Sequence, residues 1–124
     1  MQYMLLIYDS EASQKNVTAA DAEAMMKAYG EFTQTIVKSG NMRAGDALAP
    51  SSTATTVRVR NGKTLTTDGP FAETKEQLGG YYLIEAKDLD EATSIASRIP
   101  SAKSGSIEVR PVMQLPPDYA MPKV

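Results

Sequence analysis

The sequence predicts an α+β fold in which a split βαβ sheet carries an inserted hairpin, and three observations predict it. Two segments open on a helix cap and then repeat apolar residues at helical spacing. Four others are apolar or alternating runs of strand length, and one Asn-Gly pair joins two further alternating runs. In order they read strand, helix, strand, hairpin, strand, helix, strand, the ferredoxin-like βαββαβ arrangement with a hairpin between its halves. At 124 residues the chain has room for one domain with a sizeable core.

Tyr3-Met4-Leu5-Leu6-Ile7-Tyr8 is apolar without a break, which suits a central strand covered on both faces. Thr18, with Asp21 three residues on, caps a helix whose Ala22, Met25, Tyr29, Phe32 and Ile36 form one apolar stripe, and Gly40 closes it. Met42 to Leu48 reads as a short strand weakened by Gly45, and Pro50-Ser51-Ser52 as a loop. Thr55 to Arg60, Asn61-Gly62 and Lys63 to Thr66 form a hairpin on a type I′ turn, setting Arg60 opposite Lys63 and Arg58 opposite Leu65. One hairpin face is then basic and solvated, and the other carries Val57, Val59, Thr64 and Thr66.

Asp68-Gly69-Pro70-Phe71 is a turn, and Ala72 to Gly80 a polar stretch whose Gly79-Gly80 pair marks a bulge or hinge. Tyr81 to Ala86 is a strand. Asp88 with Glu91 caps a second helix, with Leu89, Ala92, Ile95, Ala96 and Ile99 on its apolar face and Pro100 at its end. Ser106 to Val112 alternates, and Pro111 places it at an edge or a strand end. Residues 1–113 form the domain and 114–124 a Pro-rich tail, extended, packed on a partner or mobile.

Composition removes whole classes of chemistry. There is no cysteine and no histidine, so disulfides, thiolate or imidazole metal sites, a cysteine nucleophile and a Ser/His/Asp triad are all excluded. The carboxylates show no metal-ligand spacing, so neither a metal nor another cofactor is expected. Thirteen basic against fifteen acidic side chains give a net charge of −2, which argues against nucleic acid or an anionic membrane as partner. The apolar run at Tyr3 to Tyr8 is too short for a membrane span or a secretion signal, and a cytoplasmic protein is expected.

Two helices cover one face of such a sheet. The two-sided apolar first strand needs a second cover, and a second copy packed sheet to sheet supplies it, so a homodimer is expected.

The run from Asp68 through Ile84, with Asp88-Leu89-Asp90-Glu91-Ala92, Glu108-Val109-Arg110-Pro111-Val112-Met113 and the opening Met1 to Tyr8, resembles the YCII-related, or DGPF, family over about residues 1–113. The resemblance implies a dimeric ferredoxin-like α+β barrel and no set chemistry. Some relatives in the wider group use a His/Asp pair for lyase or dehydrochlorinase reactions, and this chain has no histidine. Members are often encoded beside, or fused to, extracytoplasmic-function sigma factors.

Asp68 is the candidate catalytic residue, because Gly69-Pro70 can hold its carboxylate at the mouth of a cleft. The competing reading is a turn Asp bonded to its own backbone. Tyr8, Phe71, Glu73, Lys75 and Tyr82 are the candidate ligand-binding residues: an apolar ring, a mixed charge cluster, and hydroxyls at strand ends. For Glu73 and Lys75 a solvated loop is the plainer alternative, and for each Tyr core packing. The function expected is a dimeric small-molecule binder or weak enzyme. The alternative is an interaction module that docks on a transcription factor through the basic hairpin face or the tail.

Overall fold

The computed structural model describes residues 1–122, so positions 123 and 124 of the expected tail lie outside the described residues. Strand β1 (Gln2–Asp9) is followed by a one-turn helix α1 (Glu11–Gln14), the long helix α2 (Ala19–Lys38) and strand β2 (Met42–Ala47). Then come a two-stranded ribbon, β3 (Thr55–Arg60) with β4 (Lys63–Asp68), strand β5 (Gln77–Glu85), helix α3 (Leu89–Ser97) and strand β6 (Ser106–Pro111). The main sheet runs β2-β5-β1-β6 and every neighbouring pair is antiparallel. That is the split βαβ order, with β1 central and β6 at an edge where its Pro111 needs no ladder donor.

Local chemistry explains both long helices. The Thr18 side chain accepts from the Asp21 N–H at 3.1 Å, and the Asp88 carboxylate from the Glu91 N–H at 2.9 Å. At the other end of α2, Gly40 adopts φ +82°. Its N–H reaches Val37 O at 3.1 Å and the Asn41 N–H reaches Ile36 O at 2.9 Å, the paired bonds of a Schellman stop. Phe32 and Ile36 of α2 and Ala92, Ile95 and Ala96 of α3 bury against Tyr3, Leu5 and Ile7 of β1 and Tyr82 and Ile84 of β5. Phe32 and Tyr82 meet edge to face, with ring centres 5.2 Å apart.

As expected of a sheet with two helices, the first strand is covered on one face: Tyr3, Leu5 and Ile7 are buried, while Met4, Leu6 and Tyr8 stay half-exposed. Other expectations are corrected. Ala22 and Met25, expected on the buried stripe of α2, are exposed, Met25 over the open cleft between that helix and the sheet; Leu89 of α3 is exposed too. β5 starts at Gln77, four residues before Tyr81. Gly79 is the residue left unpaired where Ile7 faces Gly80 and Tyr8 faces Leu78, so the glycine pair sits at a bulge inside the strand. The helix α1 was not foreseen.

The hairpin follows its expected register, with Arg60 opposite Lys63 and Arg58 opposite Leu65, and with φ +52° and +74° at Asn61 and Gly62. It nevertheless forms its own sheet. Val57 and Val59 are exposed, so its apolar side packs on nothing among the described residues, and Leu65, opposite Arg58 on the basic side, is exposed as well. The described tail carries a single turn at Pro117–Tyr119, and its Tyr119 and Met121 are exposed.

Candidate functional site

Between α2 and the sheet, on the helix-covered side, lies an open cleft of about 930 Å³. Its floor is β5 and β1, where Tyr82, Gly80 and Ile7 face the helices. Its roof is α2, which presents Met25, Tyr29 and Thr33. β2 forms one wall, and α1 with the loop at Pro50 forms the rim.

Glycines shape the space. A Cβ at Gly45 would stand 2.9 Å from the Tyr82 ring and 3.1 Å from Tyr81 O, and one at Gly80 would stand 2.9 Å from Asp46 O. Gly45 therefore lets the Tyr82 ring lie flush against β2, where the sequence suggested only a weakened strand.

Four hydroxyls meet under the roof in two pairs. Tyr29 Oη and Ser101 Oγ are 2.6 Å apart, and Thr33 Oγ1 and Tyr82 Oη are 2.7 Å apart. Burial raises the Tyr29 hydroxyl above the usual phenol range. Donation from Ser101 pulls the other way, and the Tyr82 and Asp9 oxygens push it up further. Tyr29 is thus a protonated hydrogen-bonding group at neutral pH, and no base. The Asp9 carboxylate is held by the Ser10 N–H at 2.9 Å and the Ser104 hydroxyl at 2.8 Å.

The rim is latched. The Glu11 carboxylate accepts from the Ser51 N–H at 2.8 Å and from the Ser51 hydroxyl, and these bonds hold its carboxyl below the usual range. The Glu11 N–H in turn donates to Gln77 Oε1 at 2.9 Å. Among the described residues no three His, Cys, Asp or Glu side chains gather as a metal would require. Neutral hydroxyls over an apolar body suit the binding and orientation of a small molecule.

Of the residues singled out from sequence, only Tyr82 lines this cleft. Asp68 closes the ribbon, not the mouth of the cleft. The turn there is held by the Gly69 N–H to Ala54 O at 2.6 Å and the Thr56 hydroxyl to Gly69 O at 2.9 Å, at φ +99° for Gly69, with no part taken by the Asp68 carboxylate. Phe71, Glu73 and Lys75 lie exposed on the following loop. Tyr8 points to the other face of the sheet. Tyr29, Thr33 and Ser101 went unnoticed as site residues. Tyr29 and Thr33 sit four apart on one helix face, and that hydroxyl pair was the available signal; Ser101 had none.

The opposite sheet face is open. The registers place Met4, Leu6 and Tyr8 there beside Leu83, Tyr81 and Leu78. Its edges are polar: the Tyr81 hydroxyl donates to Asp46 at 2.7 Å on one side, and Glu108 pairs with Arg110 at 2.9 Å on the other.

With this geometry in view the chain falls into a class, the α+β domains with a split βαβ sheet, and a group within it. The YCII-related domain model matches residues 1–116, and the chain belongs to that family. It is 38% identical over 114 residues to an uncharacterized protein of Rhizobium meliloti (strain 1021), covering 90% of this chain and 92% of that protein. Among solved structures, 5-chloro-2-hydroxyhydroquinone dehydrochlorinase from Burkholderia phenoliruptrix AC1100, in complex with 2,5-dihydroxybenzoquinone, is similar with a TM-score of 0.49 and 14% identity. The likeness spans 91% of this chain and 94% of that one and is too distant to carry chemistry from one to the other. No helix among the described residues is long and apolar enough to cross a membrane.

Proposed function

We infer that the protein is a homodimeric small-molecule binder whose ligand sits in the cleft between α2 and the sheet. One observation carries this reading: a roomy, largely apolar cleft in which four hydroxyls converge under a latched rim. The dimer rests on the open face, an apolar centre with polar edges, which is the composition of an interface core and rim. A second copy stacked there turns two four-stranded sheets into a closed barrel and leaves both clefts on the outside.

A thermal-shift screen of small neutral compounds, followed by chemical-shift mapping onto Gly45 and Gly80, tests the cleft. Hits that move those glycines support the reading. Hits that move Phe71, Glu73 and Lys75 instead restore the site near Asp68, and Asp68→Asn then lowers their affinity.

A second reading is docking on a regulatory protein through the ribbon and the tail. It is favoured by the exposed Val57, Val59, Tyr119 and Met121.

A further inference from the structure

The hydroxyl pairs of the cleft have a direction. Thr33 Oγ1 gives its one hydrogen to Tyr29 O, one turn back along α2, at 2.8 Å. The 2.7 Å bond between Thr33 and Tyr82 therefore runs the other way: the Tyr82 hydroxyl donates, and its hydrogen is spent. What Tyr82 has left for a ligand is a lone pair.

The other pair resolves oppositely. Ser101 lines the cleft but is only 7% exposed, and if Tyr29 donated to it the Ser101 hydroxyl hydrogen would have no acceptor among the described residues, a desolvation loss with nothing to offset it. Ser101 donating to Tyr29 avoids that loss. The Tyr29 hydrogen is then free, on a side chain that lines the cleft and is only partly buried.

We propose that the cleft reads its ligand through two tyrosine hydroxyls of fixed and opposite polarity, Tyr29 donating and Tyr82 accepting. The ligand is then a compact, apolar-bodied, uncharged molecule carrying one acceptor oxygen of the carbonyl kind and one O–H or N–H donor. Ser101 and Thr33 are positioning residues that set these polarities without touching the ligand. The proposal rests on the cleft being the binding site.

Two five-membered rings separate the polarities: cyclopentanone accepts only, and pyrrole donates only. Affinities come from titrations followed at the backbone resonances of Gly45 and Gly80. Tyr29→Phe is expected to weaken cyclopentanone by about tenfold and pyrrole by less than about twofold, and Tyr82→Phe the reverse. Each variant's surviving probe shows that it is folded. Thr33→Val added to Tyr29→Phe frees the Tyr82 hydrogen and is expected to return cyclopentanone binding.

Equal losses of both probes in each variant, or no recovery with Thr33→Val, overturn the assigned polarity while leaving the cleft as the site. If neither probe moves Gly45 or Gly80 in the unaltered protein, the cleft reading falls and the proposal with it.

Discussion

Leu5 points from β1 into the layer of helices and is 0% exposed, whereas Leu6, the next residue, points to the face that no helix covers and stays half-exposed. The two faces of this sheet thus have the same apolar chemistry and different fates. On one side Phe32, Ile36, Ile95 and Ile99 finish the core and leave room for a cleft. On the other, Met4, Leu6, Tyr81 and Leu83 share a surface and stay half-exposed. An apolar pattern on a strand reports what must be covered, and it does not report by which molecule.

Substitutions on β1 test that contrast most strongly. Leu5→Ala is expected to cost about 2–5 kcal/mol in denaturant unfolding at any protein concentration, because a fully enclosed side chain leaves a cavity. A cost under about 1 kcal/mol there erases the difference between the faces. Leu6→Asp is expected to leave the fold intact and abolish association, so that light scattering gives 13.4 kDa in place of twice that mass. If the unaltered chain already scatters as 13.4 kDa at micromolar concentration, the open face is not a dimer face.

Gly45→Ala probes the helix side more finely. The new methyl meets the Tyr82 ring at 2.9 Å and Tyr81 O at 3.1 Å, so about 1–3 kcal/mol is lost and Tyr82 shifts, weakening ligands in the cleft. A stable variant with unchanged binding shows that β2 yields and that the glycine shapes nothing.

The smallest effect concerns pH. The Glu11 carboxyl lies below its ordinary value of 4.5 in the folded chain, because Ser51 donates to its charged form. The latch is complete above that ordinary value and is lost as pH falls through the depressed one. The protection factor of the Ser51 amide should therefore drop on acidification, and Glu11→Gln should flatten that dependence.

Much of the fold was legible because its signals are local. Thr18, Asp88, Gly40 and Asn61-Gly62 each act within a few residues, through a cap, a stop or a turn, and each does so where expected. The parts that were not legible depend on contacts across the chain. α1 has one turn and no periodicity; it is held by Gln77 and Ser51. The ribbon's turn was plain, but nothing in Thr55 to Asp68 says whether its apolar side joins the main sheet. The cleft draws on Ile7, Tyr29, Gly45, Tyr82 and Ser101, which no sequence spacing connects. Asp68 attracted notice because turn residues and rim residues look alike in sequence.

The strand order also bears on synthesis. β1 is made before its ladder partners among the described residues, β5 and β6, with Tyr3 waiting for Ile84 on one side and Pro111 on the other. At about 5–20 residues per second, the six-residue apolar run emerges and remains unpaired for on the order of ten seconds. During that interval it is a nascent segment that a ribosome-bound chaperone or a neighbouring chain can capture. Slowing translation before β5 should therefore lengthen that exposure and lower the soluble yield.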